Sequence, residues 1–303
     1  MNLNFQLTPQ IKKILMRFVI LLVAITVIIF WWEEIDYAFN GNDELISTIE
    51  NTITRTLDEE ADGGYYDPNS CFDIFGNVAK IKIDDVIDSA EFQDEDGFTI
   101  SVSSEDIIRQ LEEVNQSPDY TAIMLVIDSP GGSFVPSEEI TKTIERTEKP
   151  VIAVIKSMGT SGAYMVASSA DYIFASRGSD VGSIGVTQSY ADNYYKNQME
   201  GITYNSLSSG KFKDTLDYNK SLTNEEKELL MKDIMKMHNI FVEMVAENRN
   251  MPIEEASKLA DGSTMLGDDA LAKGLIDAIG GEFEAIEWIT EQIGEEVSVC
   301  NYN

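Results

Sequence analysis

The chain has 303 residues, with 22 Lys+Arg against 53 Asp+Glu and a formal net charge of −31. So acidic a surface repels phosphate backbones, and its few bases form no cluster, which excludes nucleic acid as a partner. Apolar residues make up 43%, enough for a core in one large or two ordinary domains. Cys71 and Cys300 alone cannot form a four-ligand zinc site, and the single histidine, His238, removes most metal and triad chemistry, so no cofactor is expected.

From Ile14 to Trp32 the sequence is apolar except for Arg17 and Thr26. At about 1.5 Å per residue this run spans the roughly 30 Å of a bilayer's hydrocarbon. Arg17 can snorkel to one interface, and Trp31 and Trp32 suit the other. A cleaved signal peptide would have a shorter apolar region ending in small residues, whereas WWEEIDY follows here. Residues 14–32 are therefore expected to be a retained transmembrane helix. Lys12, Lys13 and Arg17 open the span and Glu33, Glu34 and Asp36 follow it, so the positive-inside rule puts residues 1–13 in the cytoplasm and the rest outside the cytoplasmic membrane. Residues 33–70 hold eleven acidic residues and one basic one, Arg55, and read as an acidic stalk, with helical character around Glu44–Leu57.

Residues 71–303 read as a domain of a different kind. Short β-branched runs at Val78–Ile83, Ala122–Ile127, Val151–Ile155 and Tyr172–Ala175 predict strands. Between the first two, SSEDIIRQLEEV offers a cap at Ser103 or Ser104 and an apolar face of Ile107, Ile108, Leu111 and Val114. Pro136–Thr147 repeats the helical theme before the last strand pair. A further strand is predicted at Thr203–Leu207. Thr223 and Glu226 form a capping box for a long helix in which Leu230, Ile234, Met237, Phe241, Met244 and Val245 recur at helical spacing. His238 sits in that helix, where a packing or surface role is the usual one, and its methionines read as core or subunit interface. Strand–helix alternation of this kind implies an α/β class with a largely parallel sheet.

Three stretches are not ordinary connections. IDSPGGS at Ile127–Ser133 follows an apolar strand, and its glycines let backbone amides approach a ligand as in an oxyanion hole, although a plain turn has the same composition. SMGTSGAYMVASSADYIFAS at Ser157–Ser176 puts Ser161 where a strand ends and a helix of small residues begins, which suits a nucleophile and equally a helix cap. With one histidine in the chain, a base has to come chiefly from Asp, Glu or Lys. A lysine serves when burial lowers its pKa from about 10.4 toward roughly 7–8. SSGKFKDTL supplies Lys211 and Lys213, which could also be an exposed basic turn.

In order and spacing, SPGG within Ile127–Ser133, MGTSGAY at Met158–Tyr164, VGSIGV at Val181–Val186, SGKFKD at Ser209–Asp214 and LGDDALAKGLIDAIGG at Leu266–Gly281 resemble the signal peptide peptidase A family, over roughly residues 77–290. The resemblance implies a crotonase/Clp-protease-like spiral domain of repeated β-β-α units and a membrane-anchored serine endopeptidase with a Ser–Lys dyad. It places the nucleophile at Ser161, the general base at Lys213 with Lys211 as runner-up, a lysine-orienting hydroxyl at Ser183, and the oxyanion hole at the amides of Gly132 and Gly162. It also implies a homo-oligomer with the dyad completed between neighbouring subunits, and signal-peptide remnants or other short apolar peptides as substrates. The family's SGGYY is SGAYM here, and the helix between SPGG and the nucleophile is several residues shorter than expected. Two other readings are an acyl-CoA-binding enzyme on the same fold and an inactive oligomeric scaffold at the membrane. Cys71 and Cys300 bracket the domain outside the cytoplasm and form a candidate disulfide, with unrelated thiols as the alternative.

Overall fold

The computed structural model describes residues 76–94, 96–97, 99–294 and 296–302. The span at 14–32, the stalk at 33–70 and Cys71 lie outside these residues. Among the described residues no helix is long and apolar enough to cross a membrane.

In chain order the elements are β1 (Val78–Asp88), β2 (Ser101–Ser103), α1 (Ser104–Gln116), β3 (Ala122–Gly132), α2 (Phe134–Glu145), β4 (Val151–Thr160), α3 (Gly162–Ser168), β5 (Tyr172–Ala175) and β6 (Asp180–Gly182). They continue with α4 (Tyr194–Met199), α5 (Asn224–Asn248), α6 (Ile253–Lys258), β7 (Thr264–Leu266), α7 (Gly267–Ala272), β8 (Ala278–Ile279), α8 (Glu282–Ile293) and β9 (Val299–Asn301). The main sheet runs β2-β1-β3-β4-β5-β8, with β6 joining the end of β4, β9 joining the start of β1, and β7 pairing with β6. Every pairing between these strands is parallel except β6 with β7.

The central strands are apolar on both faces because both are covered. Ile81, Ile83, Leu125, Ile127, Ala153 and Ile155 point to a core shared with α1, α2, α3 and α5. Their neighbours Met124, Val126, Ile152 and Val154 point the other way, to Ala285 and Ile289 of α8. Each large aliphatic side chain so buried contributes about 1.5–3 kcal/mol.

The cap of α1 is Ser103, whose hydroxyl accepts from the amide of Asp106 at 3.2 Å. The capping box of α5 forms as its sequence predicts. At the other end of α5, Arg249 donates to both carboxylate oxygens of Asp277, at 2.6 and 3.1 Å, and Asp277 also accepts from the amide of Ile173 in β5. The strand predicted at Thr203–Leu207 is not one. That segment is irregular and Leu207 is fully exposed; of its five residues only Thr203 and Tyr204 favour a strand, while Asn205 and Ser206 favour turns.

Candidate active site

The turns after three parallel strands converge at their carboxyl ends, the usual place for a site in such sheets. Gly131 and Gly132 end β3, Ser161 follows β4 and Ser183 follows β6.

Ser161 stands between β4 and α3 with φ 52° and ψ −125°, a conformation that costs a non-glycine residue about 1–3 kcal/mol. Its surroundings impose it. The Ser161 amide donates to Gly182 O at 2.8 Å, its carbonyl accepts from the Met165 amide at 3.0 Å, and the Thr160 hydroxyl donates to Pro130 O at 3.1 Å. The α3 helix is buried along its whole length, and the Tyr164 hydroxyl within it donates to Leu275 O at 2.9 Å. Burial pushes that phenol's pKa well up, so it stays a neutral donor. Ser161 makes no side-chain cap bond to α3, so its hydroxyl does not serve as the ordinary helix cap.

The glycine loop is fixed as tightly. The Ser129 hydroxyl donates to Asp85 O at 2.5 Å and accepts from the Gly131 amide at 3.1 Å, and the Ser133 amide donates to Ile87 O at 2.8 Å. Gly131 has φ 94°, and a Cβ there would stand 2.6 Å from the Gly162 nitrogen and 2.9 Å from Ser161 Cβ. A Cβ on Gly132 would collide with the backbone of Ile87, and one on Gly162 would strike the Ser137 side chain and stand 3.3 Å from the Gly132 nitrogen. Only glycines let these two backbone segments approach so closely, and the approach brings the amides of Gly132 and Gly162 together beside Ser161.

Two cavities share Ser161 as part of their walls. The first, of 340 Å³, adds Gly132, Gly162 and the apolar side chains of Phe134, Met165, Val186, Met237 and Phe241. The second, of 310 Å³, adds Ser183, Thr187, His238, Asp261 and Gly262. Ser183 also holds a positive φ, 51°, with its hydroxyl donating to Gly262 O at 3.1 Å and its amide to Ser263 O at 2.9 Å. Asp261 accepts from the Ser263 hydroxyl and amide, which hold its carboxyl below the usual range.

The fold thus brings together four of the five sequence-derived site residues, Ser161, Ser183, Gly132 and Gly162. The fifth, Lys213, lies in a run of turns between α4 and α5, is exposed, and lines neither cavity. Lys211 is also exposed and pairs with Glu225 at 2.6 Å. His238, for which a packing or surface role was expected, and Asp261, which the sequence did not single out, both reach the wall of the second cavity. No signal within the helix or the ADG turn marks them, since their approach depends on how α5 and the segment after α6 pack beside Ser161. Among the described residues no cluster of His, Cys, Asp or Glu is arranged to hold a metal ion. Cys300 is buried on β9.

The Clp protease family model matches residues 99–179, in keeping with the expected Clp-protease-like domain. The model described as Peptidase family S49 matches residues 143–296, just over half of the chain and inclusive of Ser161, Ser183 and Lys213. The chain belongs to peptidase family S49. Among curated relatives, "Putative protease MJ0651" of Methanocaldococcus jannaschii is 37% identical over 182 residues, 59% of this chain and 58% of that protein. "Putative signal peptide peptidase SppA" of Enterococcus faecium is 30% identical over 193 residues, 62% of this chain and 56% of that protein. "Serine protease SPPA, chloroplastic" of Arabidopsis thaliana is 32% identical over 189 residues, 61% of this chain and 28% of that protein. The S49 chain thus spans little more than half the length of the first two relatives.

Proposed function

We propose that the chain is a serine endopeptidase in which Ser161 is the nucleophile and Lys213, contributed by a neighbouring copy, is the general base. The observation that carries the reading is Ser161 itself, a serine held at a strained strand–helix junction, beside two closely apposed glycine amides, on the wall of two cavities. In the first step the neutral lysine takes the Ser161 proton as Oγ attacks a peptide carbonyl. The amides of Gly132 and Gly162 receive the oxyanion, and the lysine returns the proton to the leaving amine. Water, deprotonated by the same lysine, then releases the acyl group. Ser183, on the wall of the second cavity, orients the incoming amine. Supply of Lys213 in trans accounts for its exposure in a single chain and implies a homo-oligomer.

The apolar side chains around the first cavity suit an apolar residue of the substrate, consistent with remnant signal peptides or other short apolar segments. The run at 14–32 would hold the enzyme at the cytoplasmic membrane with its catalytic domain outside, within reach of such peptides. A disulfide between Cys71 and Cys300 would staple the domain in that environment.

The deciding experiment measures peptide hydrolysis and labelling by a fluorophosphonate probe in the full-length chain. Ser161→Ala and Lys213→Ala should each lose activity with an unchanged unfolding transition, while Lys211→Ala and His238→Gln keep it. Loss of activity in His238→Gln with its retention in Lys213→Ala would make the histidine the base and end the Ser–Lys reading.

A further inference from the structure

Resting on that reading of Lys213, we infer that Glu226 is a positioning residue, whose buried carboxylate holds the turn that presents the catalytic lysine. Lys213 belongs to no helix or strand. Its turn, closed by the Lys213 amide donating to Gly210 O at 3.1 Å, opens a run of turns that ends at the start of α5. Nothing in the exposed turn at 210–213 itself fixes where the lysine amine will point, yet a general base has to be placed within about an ångström.

Glu226 supplies the missing constraint. Its side chain is only 3% exposed, although it sits one turn into a helix at the surface. A capping box needs one carboxylate oxygen, and Oε2 serves it, accepting from the Thr223 amide at 2.9 Å and from the Thr223 hydroxyl at 3.0 Å. Oε1 is engaged differently. It accepts from the Thr215 hydroxyl at 3.2 Å and from Lys220 Nζ at 2.5 Å, and Lys220 Nζ also pairs with Asp214 at 3.5 Å. Thr215 and Asp214 lie two residues and one residue beyond Lys213. One buried carboxylate therefore ties the rigid start of α5 to both ends of the segment that follows the base. Farther from Lys213 the run is pinned separately, by the Asn193 amide donating to Tyr218 O at 2.6 Å and by Asn197 donating to Asn219 at 3.1 Å.

A buried carboxylate is costly unless it is paired and hydrogen-bonded, and an ordinary helix cap could have stayed at the surface. Burying it under Lys220 converts a cap into a clamp. Because glutamine at this position still completes a capping box, Glu226→Gln separates the two roles: the amide oxygen can serve Thr223, whereas the amide nitrogen cannot accept from Lys220 or Thr215.

The test is steady-state kinetics on the full-length chain. Glu226→Gln should lower kcat by about tenfold to a hundredfold, the usual loss for a catalytic group misplaced by about an ångström, with KM within about twofold. Lys220→Met should do the same, and Lys220→Arg should restore most of the rate. The readout that a merely structural role would not produce is non-additivity: in a Lys213→Ala background, Glu226→Gln should leave the residual rate of Ser161 labelling unchanged. Equal slowing in both backgrounds would overturn the inference, as would wild-type kcat in Glu226→Gln. Should Glu226→Gln fail to fold, Lys220→Met carries the same comparison. Wild-type activity in Lys213→Ala would overturn the base assignment and this inference with it. An inactive Lys213→Ala beside a fully active Glu226→Gln would overturn this inference alone.

Discussion

Ser161 occupies a backbone conformation that glycine adopts without strain, and this has a measurable price in stability. Ser161→Gly should be inactive yet unfold at the same temperature as the native chain or a few degrees above it, because relief of about 1–3 kcal/mol of strain outweighs the roughly 0.5–1 kcal/mol entropic cost of a glycine. A clear drop in the unfolding midpoint would mean that the serine side chain stabilises the turn instead. Glu226 gives a second expectation at this scale. Its hydrogen bond from Lys220 and those from Thr223 lower its pKa from 4.5 to about 2, so the folded state favours the ionised form. The stabilisation is complete above about pH 4.5 and is lost as pH falls from there through about 2. Acid unfolding of Glu226→Gln, followed by circular dichroism, should lack that part of the dependence. The place of Ser161 at a strand–helix junction was legible in the sequence because its signals are local: a strand, a small-residue helix and a serine between them. The approach of His238 and Asp261 to the same serine was not legible, since it depends on elements some 77 and 100 positions away in the chain.

Among the elements, α5 does the most to join the parts of the site. Its first turn carries Glu226, its middle lines both cavities through Ile234, Met237, His238 and Phe241, and its end is tied to β5 through Arg249 and Asp277. The Thr223–Glu226 capping box and the apolar spacing marked the start and extent of this helix but not which side faces the site. Leu230, Ile234 and Met237 belong to the same stripe as the fully buried Phe241 and Val245, yet the first three are only partly buried, and Ile234 and Met237 border the cavities. Met237 is therefore placed to set the size of the apolar cavity. Met237→Trp should raise KM for substrates with a large apolar residue at least about tenfold while changing fluorophosphonate labelling of Ser161 little, a split that competition with short peptides would expose. The failed strand at Thr203–Leu207 has the opposite lesson. Thr203 and Tyr204 have β propensity, but the Asn205-Ser206 pair that follows favours a turn, and two residues do not make a strand.

For the whole molecule, the proposed supply of Lys213 by a neighbouring copy would make activity a property of an assembly. Ser161→Ala and Lys213→Ala chains, each inactive alone, should regain activity when mixed and reassembled, because one copy then supplies the serine and its neighbour the lysine. Random mixing in equal amounts leaves about a quarter of the interfaces with both native groups, which sets the expected ceiling. No recovery at any ratio would place both groups within one chain. The α/β class, the parallel order and the strands β1, β3, β4 and β5 were all legible, since continuous apolar runs mark strands covered on both faces. The small strands β6 to β9 were not, being two or three residues long and formed only where the larger sheet offers them an edge.

The last of these, β9, lies parallel to the first strand: Val299–Asn301 pairs with Val78–Lys80, the Asn77 amide donates to Ser298 O at 2.9 Å, and the Tyr302 amide donates to Lys80 O at 2.9 Å. Synthesis and closure therefore run in opposite orders. Among the described residues the opening half of β1 is made before every other strand, yet the partner of its outer edge is residues 298–302, which are made after all the rest. Until residues 298–302 dock, that edge is a template on which a neighbouring nascent chain could pair, and their docking is what withdraws it.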